Sequence, residues 1–361
     1  MTAFMDDPRN RAVAFCDRFG IRVPILLAPM AGACPPSSSI AVMRAGGFGA
    51  CGALLMQPKE IEDWAAEVRA NVDGPFQINL WIPEPPPVRD RSHEARVREF
   101  LSRWGPPVPE DAGDIVLPNF DEQCQALLRI APVAVSSIMG LYPPPFVAEL
   151  KSRQIMWFAT ATTVTEAKAA EATGADVIIA QGMEAGGHRG GFDATKAERQ
   201  LVGLFALVPA IVDAVRIPVV AAGGIADGRG VAAALTLGAS AAVMGTAFLR
   251  CPETNVHPAW ANELANTTPE RTIVSRTFTG KPARSIATNY VFAALAADAP
   301  IPAPYPVQRG LTTPMRLEAQ KTGDVQRMQA WAGQSAALAR AESASAITER
   351  VWKEAQALLR R

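Results

Sequence analysis

The stretch Ala175-Asp-Val-Ile-Ile-Ala-Gln-Gly-Met-Glu-Ala-Gly-Gly-His-Arg-Gly-Gly-Phe192 contains the pattern that decides the fold. Its first part, residues 177–180, is a short β-branched and apolar run, typical of a strand buried on both faces of a parallel sheet. The run leads into a segment with five glycines, which can be neither a helix nor a core strand. His188 therefore lies on a loop at the carboxyl end of a strand, where parallel α/β folds place ligands and chemistry.

Strands and helices alternate on both sides of this stretch. Eight strand candidates lie within residues 24–33, 48–51, 76–80, 133–136, 156–159, 177–180, 218–222 and 241–244, and helical patterns such as 121–130, 145–152, 197–215 and 231–237 separate them. Strands that alternate with helices pair in parallel, and eight such units indicate closure. The sequence predicts an α/β fold, a (β/α)8 TIM barrel, over residues 1–250.

Two segments depart from this alternation. After the third strand comes a Pro-rich insertion, residues 83–120, with a helical pattern over 92–104; we expect it to cover the strand ends as a lid. Residues 251–361 form a C-terminal extension that we expect to pack on the barrel and to end in an Ala-rich helix over 343–361.

Composition narrows the functional classes. The chain has 361 residues, 49% hydrophobic and 19% charged, with zero formal net charge, so it lacks the basic excess of proteins that bind nucleic acid or anionic membranes. The apolar window 204–225 is interrupted by prolines and charges, and the N-terminus lacks the apolar core of a signal peptide. Five cysteines without a Cys-x-x-Cys pair favour neither a disulfide framework nor a zinc site. We expect a soluble, cytoplasmic protein.

Two glycine-bearing turns, Gly223-Gly224 and Gly245-Thr246, follow the last two predicted strands. A barrel commonly binds phosphate there, through backbone N–H groups of a tight loop and a helix start. The alternative is that the glycines only permit a tight turn from strand to helix. The turns do not form a dinucleotide fingerprint, since no Gly-x-Gly-x-x-Gly with a following acidic residue is present.

His188 is the candidate catalytic residue. A near-neutral proton acceptor held by glycines at a barrel mouth suits proton abstraction next to an activating group. The other two histidines have less favourable settings: His93 lies in the charged insertion, where we expect it to be solvated, and His257 precedes a proline, which indicates a structural role. No spacing of ligands indicates a catalytic metal.

Other polar residues near strand ends have open roles. Asn79 and Gln181 offer amide groups suited to the edge of a flat heterocycle, or alternatively to loop backbone. Glu184 is expected to cap backbone amides rather than to act as an acid. Cys34 and Cys51 lack a base partner and are interpreted as buried small hydrophobes.

The chain also resembles a known family. Residues 181–190 (Gln-Gly-Met-Glu-Ala-Gly-Gly-His-Arg-Gly), together with Leu27-Ala-Pro-Met30, Ala222-Gly-Gly-Ile-Ala-Asp227 and Met244-Gly-Thr246, are similar to nitronate monooxygenase, formerly called 2-nitropropane dioxygenase. The resemblance spans about residues 20–340 and includes Tyr305-Pro-Val-Gln and Trp331-Ala-Gly-Gln334.

This resemblance implies a TIM barrel that holds FMN without a covalent bond and oxidises alkyl nitronates with O2 to a carbonyl compound and nitrite. His188 matches the family's catalytic histidine, which would remove a proton from a neutral nitroalkane or stabilise charge on a preformed nitronate. The implied flavin contacts are Ala28, Pro29, Met30, Asn79, Gln181 and Gly186; the phosphate contacts are Gly223, Gly224, Gly245 and Thr246; Trp331 and Gln334 would close the site.

The sequence departs from the family on the substrate side. Some members carry a second histidine after the fourth strand, where this chain has Ile138 or a neighbour, and the Pro-rich insertion is unusual. Two alternatives therefore stay open: an NAD(P)H-dependent reductase of quinones or enoyl thioesters, and a flavin-free barrel that binds another phosphorylated metabolite. The oligomeric state is not predicted.

Overall fold

Eight parallel strands form the centre of the computed structural model, which describes residues 7–360. They are β1 (Ile25–Leu27), β2 (Gly49–Gly52), β3 (Phe76–Trp81), β4 (Ala134–Ile138), β5 (Met156–Ala161), β6 (Val177–Gln181), β8 (Val219–Ala222) and β9 (Ala241–Met244). Two parts of the chain lie outside the described residues. They are residues 1–6, in the stretch where no signal peptide was expected, and Arg361, the end of the predicted last helix.

The strands close into a barrel. Their order is β1-β9-β8-β6-β5-β4-β3-β2, and a parallel bridge between Leu26 and Phe48 joins the two ends. Backbone hydrogen bonds complete this seam, with Leu27 N–H donating to Phe48 O at 2.9 Å. The first observed strand lies inside the predicted stretch 24–33, and each of the other seven begins and ends within two residues of its prediction, so the predicted TIM barrel is confirmed.

Fourteen helices have bounds in the described chain: α1 (Pro8–Phe19), α2 (Pro36–Arg44), α3 (Pro58–Asn71), α4 (Arg91–Leu101), α5 (Phe120–Ile130), α6 (Pro144–Ser152), α7 (Val164–Thr173), α8 (Leu204–Val212), α9 (Gly228–Thr236), α10 (Pro258–Leu264), α11 (Asn289–Ala294), α12 (Val307–Leu311), α13 (Thr313–Thr322) and α14 (Ala344–Leu359).

Two helix starts were predicted wrongly. The helix expected from residue 197 begins only at Leu204, because the Glu184 carboxylate accepts the Leu204 N–H at 2.9 Å and fixes the first turn there. The helix expected from residue 231 begins at Gly228, because Asp227 caps it by accepting the N–H groups of Arg229 and Gly230. Both starts are set by side-chain caps.

Helix α1, which the sequence pattern did not predict, closes the amino-terminal end of the barrel. Its Phe15 and Phe19 pack against inward-facing aromatics, and the rings of Phe19 and Phe158 are 5.2 Å apart. The lower barrel is therefore filled by apolar side chains. Ligand-sized space is left at the opposite end.

The insertion and the extension share one apolar cluster above the barrel mouth. Val97 and Leu101 of α4 pack with Phe278, Tyr290 and other residues of the extension. An ion pair also joins the segments, with Lys281 Nζ 2.7 Å from Glu84 Oε2. His93, which was expected to be solvated, is only half-buried, and its Nε2 lies 2.7 Å from Ile301 O in the extension.

A small antiparallel sheet attaches the extension to the His188 loop. Its strands are β7 (Gly187–His188), β10 (Thr272–Ser275) and β11 (Ala283–Ile286), in the order β10-β11-β7. His188 pairs with Ala283 in this sheet. The loop is thus held by backbone hydrogen bonds to the extension as well as by the barrel.

Candidate active site

A cavity of about 870 Å³ opens at the carboxyl ends of the barrel strands. Its floor consists of side chains that alternate inward along the strands, namely Ala28, Asn79, Ile138, Thr160, Ile179, Gln181, Ala222 and Val243. The volume lies within the range of about 300–1,000 Å³ that is usual for cofactor and substrate sites.

The structure brings most of the predicted site residues into the wall of this cavity: Ala28, Pro29, Met30, Asn79, Gln181, Gly186, His188, Gly223, Gly224, Gly245, Thr246 and Trp331. Gln334 is the exception. Its neighbours Gly333 and Ser335 line the cavity, whereas its own backbone N–H donates to Glu184 O at 2.9 Å. Gln334 thus holds the extension against the loop after β6.

Aromatic rings surround the imidazole of His188. Trp81, at the end of β3, lies 4.6 Å from it between ring centroids, and Trp331 of the extension lies 5.1 Å away, both edge to face. Tyr305 continues the group at 5.6 Å from Trp81. On the remaining side, His188 Nε2 lies 2.9 Å from Thr279 Oγ1. One ring nitrogen is thus engaged, and Nδ1 has no hydrogen-bond partner among residues 7–360.

This setting favours the neutral imidazole. Burial, together with the smaller effects of the positive charges of Lys281 and Arg309, lowers the pKa of His188 from its ordinary 6.5 to about 3. The half-buried ring faces the cavity and its aromatic walls. His188 is therefore uncharged at neutral pH.

The side chain of Gln181 fixes the loop that carries His188. Its Nε2 donates to His188 O at 3.1 Å, and its Oε1 accepts the Gly190 N–H at 2.8 Å. Of the two roles open from sequence, the loop-bonding one is present, although the side chain also lines the cavity. Asn79, which is buried in the floor, donates from Nδ2 to Ser136 Oγ at 3.0 Å.

The two glycine turns lie in the cavity wall after β8 and β9. Gly223 and Gly224 have φ of 122° and 66°, so the turn itself requires glycine. The backbone N–H groups of Gly224 and Thr246 donate to no acceptor within residues 7–360. The start of α9 offers no further donors, since Asp227 and Glu354 accept its first N–H groups. The free donors are therefore a turn amide, that of Gly224, and the first amide of the short 3-10 helix Thr246–Phe248.

Gly186 lies where three segments meet. A Cβ at this position would be 2.5 Å from Gly333 N and 3.0 Å from Thr246 Oγ1. Thr246 Oγ1 in turn accepts the Gly333 N–H at 3.0 Å. The absence of a side chain therefore lets the extension, the β9 turn and the His188 loop come together at the edge of the cavity.

Glu184 and the two cysteines behave as expected. Glu184 caps α8, and Cys34 is a buried thiol whose pKa is raised by burial to about 12, which keeps it protonated and unreactive. Burial likewise raises the pKa of Cys51. His257 caps α10 by accepting the Ala259 N–H at 3.1 Å, so its structural role is present, although it also lines the cavity.

Sequence reasoning missed several cavity residues. Trp81 lies two positions after Asn79 on the same face of β3, and the alternation along that strand could have identified it. Thr279, Tyr305 and Arg309 come from the extension and lie at least 91 residues after His188 in the sequence. No local pattern connects them to the loop, because β11 and β7 create that contact only in the folded chain.

Two further searches of the described residues were negative. Across residues 7–360 no group of three or more His, Cys, Asp or Glu side chains has the geometry to hold a metal ion. None of the helices in the same range is long and apolar enough to cross a membrane.

Comparisons with known proteins agree with this architecture. A family model described as nitronate monooxygenase matches residues 14–354. The nitronate monooxygenase of Paraburkholderia phytofirmans is 38% identical over 343 residues, 93% of each chain. The structure of nitroalkane oxidase from Streptomyces ansochromogenes is 34% identical, with a TM-score of 0.86 over 96% of this chain and 99% of that one. FabK from Thermotoga maritima is 29% identical, with a TM-score of 0.74 over 96% and 97%. The chain belongs to the nitronate monooxygenase family of flavin-dependent oxidoreductases.

Proposed function

We propose that this protein binds FMN and oxidises alkyl nitronates with O2 to a carbonyl compound and nitrite. The observation that carries the proposal is a neutral His188 facing a cavity whose wall also contains two turns with free backbone N–H groups. Family membership supports the flavin and the nitronate.

The residues present fit FMN. The cavity is large enough for a cofactor and a small substrate, and the unpaired N–H groups of Gly224 and Thr246 are the donors that a phosphate accepts. Gly223 and Gly245 would let the backbone come close to the phosphate. Ala28, Pro29, Met30, Asn79, Gln181 and Gly186 would contact the ring system, and Trp331 would cover it.

When bound, the flavin would supply the redox chemistry, and the protein would supply binding, orientation and electrostatics. Trp81 and Trp331 restrict water around His188, which strengthens any hydrogen bond made there. Gln181 holds the loop so that the imidazole keeps its direction. The chain's own contribution is a pre-formed, poorly hydrated pocket with one oriented imidazole.

The hydrogen bond to Thr279 favours a role for His188 in charge stabilisation. Thr279 Oγ1 can donate its proton to His188 Nε2 at 2.9 Å or to Lys281 O at 3.4 Å. The shorter contact favours His188, which leaves the imidazole proton on Nδ1. Nδ1–H can then donate to a negatively charged oxygen of a nitronate.

A role as general base for a neutral nitroalkane is less favourable. An imidazole whose pKa is about 3 holds a proton weakly, and the transfer would create a cation close to Lys281 and Arg309. We therefore propose the preformed nitronate as the substrate and the nitroalkane as a poor one.

Two assays test the proposal. Incubation with FMN should give a yellow protein that releases nitrite from ethyl nitronate in air without NADH or NADPH. Anaerobic mixing with NADH or with NADPH should leave the flavin oxidised. Rapid bleaching would instead support the reductase alternative, and a protein that stays colourless after incubation would support a flavin-free barrel.

A further inference from the structure

Three charged side chains line the cavity, and two of them are engaged. Glu60 accepts the Gln57 N–H at the start of α3. Arg316 has no carboxylate partner among the described residues, but its guanidinium makes four hydrogen bonds of 2.8–3.1 Å, to Thr312, Thr313, the Arg309 carbonyl and Gln329. The third is Arg309, on the short helix α12.

The guanidinium of Arg309 has neither a hydrogen bond nor an ion pair with any residue from 7 to 360. Lys281 offers a contrast, because this neighbouring cation is neutralised by Glu84. A half-buried cation without a counter-ion loses part of its hydration and gains nothing in return from the protein. Such a charge at a cavity wall is well placed to receive an anionic ligand.

Arg309 lines the same cavity as His188 and Tyr305, and it follows Tyr305 by four residues, on α12. Its charge also contributes to lowering the pKa of His188 and acts on the phenol of Tyr305. The Tyr305 hydroxyl is buried and has no hydrogen-bond partner among the described residues, although its ring lines the cavity. Two unpaired donors, one charged and one neutral, therefore lie in the neighbourhood of His188.

This pair lies away from the glycine turns that would hold a phosphate. Tyr305 and His188 both contact Trp81 at the end of β3. In the closed order of eight strands, β3 is four strands from β8 in either direction, so it lies across the barrel from Gly223 and Gly224. The free donors thus belong to the substrate side of the mouth.

We propose that Arg309, assisted by the Tyr305 hydroxyl, is an anion-binding subsite that holds the negatively charged NO2 group of the nitronate and so discriminates the nitronate from its neutral nitroalkane. This inference rests on the proposed function for its substrate. A planar guanidinium can donate two parallel N–H groups to the two oxygens of such a group. The nitroalkane presents the same atoms without the charge.

The test compares Arg309→Met with Arg309→Lys and Tyr305→Phe in the flavin-loaded protein. Arg309→Met should lower kcat/KM for ethyl nitronate by roughly 10- to 100-fold, which is the effect of losing a charged hydrogen bond. The kcat/KM for nitroethane should be nearly unchanged. Arg309→Lys should recover part of the loss, and Tyr305→Phe should show a smaller loss. Since the Arg309 side chain bonds no other residue, melting temperature and flavin content should not change.

A binding measurement separates this inference from the proposed function. Inorganic nitrate, a planar oxyanion, should quench the fluorescence of the cavity tryptophans in the wild type and bind at least roughly 10-fold more weakly to Arg309→Met. Equal nitrate affinity in the two proteins, or equal losses on nitronate and nitroethane, would overturn the subsite even if nitrite is released. A wild type that binds nitrate through Arg309 and releases no nitrite would uphold the subsite and refute the proposed function.

Discussion

The Nε2 atom of His188 lies 2.9 Å from Thr279 Oγ1, a contact between two residues 91 positions apart. It joins the loop after β6 to the C-terminal extension, next to the pairing of β7 with β11. The extension therefore contacts one ring nitrogen of the candidate catalytic residue and helps to orient its imidazole. Residues beyond the barrel strands are part of the site.

Replacement of Thr279 by valine tests the proton position. Thr279→Val keeps the shape but removes the hydroxyl, so Nε2 loses its donor and the Nδ1–H form is no longer favoured. We expect kcat/KM for ethyl nitronate to fall roughly 3- to 10-fold, as for one neutral hydrogen bond. Thr279→Ser retains the hydroxyl and is the matched control. If kcat/KM falls as much in Thr279→Ser as in Thr279→Val, the effect does not come from the hydroxyl.

Two replacements of His188 distinguish a hydrogen-bond donor from a base. His188→Ala should keep the flavin and lose roughly 10- to 100-fold in kcat/KM for the nitronate. His188→Asn provides an amide N–H in a similar place and should recover part of that loss. If His188 were a base, asparagine would do no better than alanine, and the loss would be largest with nitroethane.

The titration of His188 gives a pH test. Its pKa in the folded chain is lowered from 6.5 to about 3, so between these values the unfolded chain binds a proton that the folded chain does not. This residue therefore contributes to a loss of stability as the pH falls below 6.5. In the substrate-free protein, the ¹⁵N shifts of His188 should stay those of a neutral ring at pH 5. A midpoint near 6.5 would refute the assignment.

The packing around Gly186 predicts how the flavin site responds to a single methyl group. In Gly186→Ala the new Cβ would be 2.5 Å from Gly333 N, so the extension must move away from the Thr246 turn. We expect a destabilisation of about 1–3 kcal/mol and faster release of FMN. Gly20→Ala, where φ is 67° and no atom lies within 4 Å of the new Cβ, is the control; it should lower the melting temperature slightly and leave flavin retention unchanged.

The barrel could be predicted because its signals are local. Short apolar runs such as residues 177–180 and 241–244 are buried on both faces and need no distant partner to be recognised. The loop with His188 could be predicted for the same reason, since its glycines exclude regular structure. The start of α8 could not, because its cap, Glu184, lies 20 residues earlier.

The proposed substrate side of the cavity was less predictable than the proposed flavin side. The glycine turns follow directly from strands, whereas Thr279, Tyr305 and Arg309 reach the cavity only through the packing of the extension on the insertion and the barrel. Gln181 was predicted to be in the site, but the bonds of its amide to His188 O and Gly190 N depend on the loop conformation. Long-range contacts of this kind leave no periodic pattern in the sequence.

The release of nitrite by the FMN-loaded protein in air tests the central claim most directly. The account predicts that ethyl nitronate gives nitrite and acetaldehyde without NADH or NADPH. It also predicts that nitroethane, which must first lose a proton to a base, reacts far more slowly, because the proposed role of His188 is that of a hydrogen-bond donor. Absence of nitrite from ethyl nitronate, or equal rates for the two substrates, would contradict it.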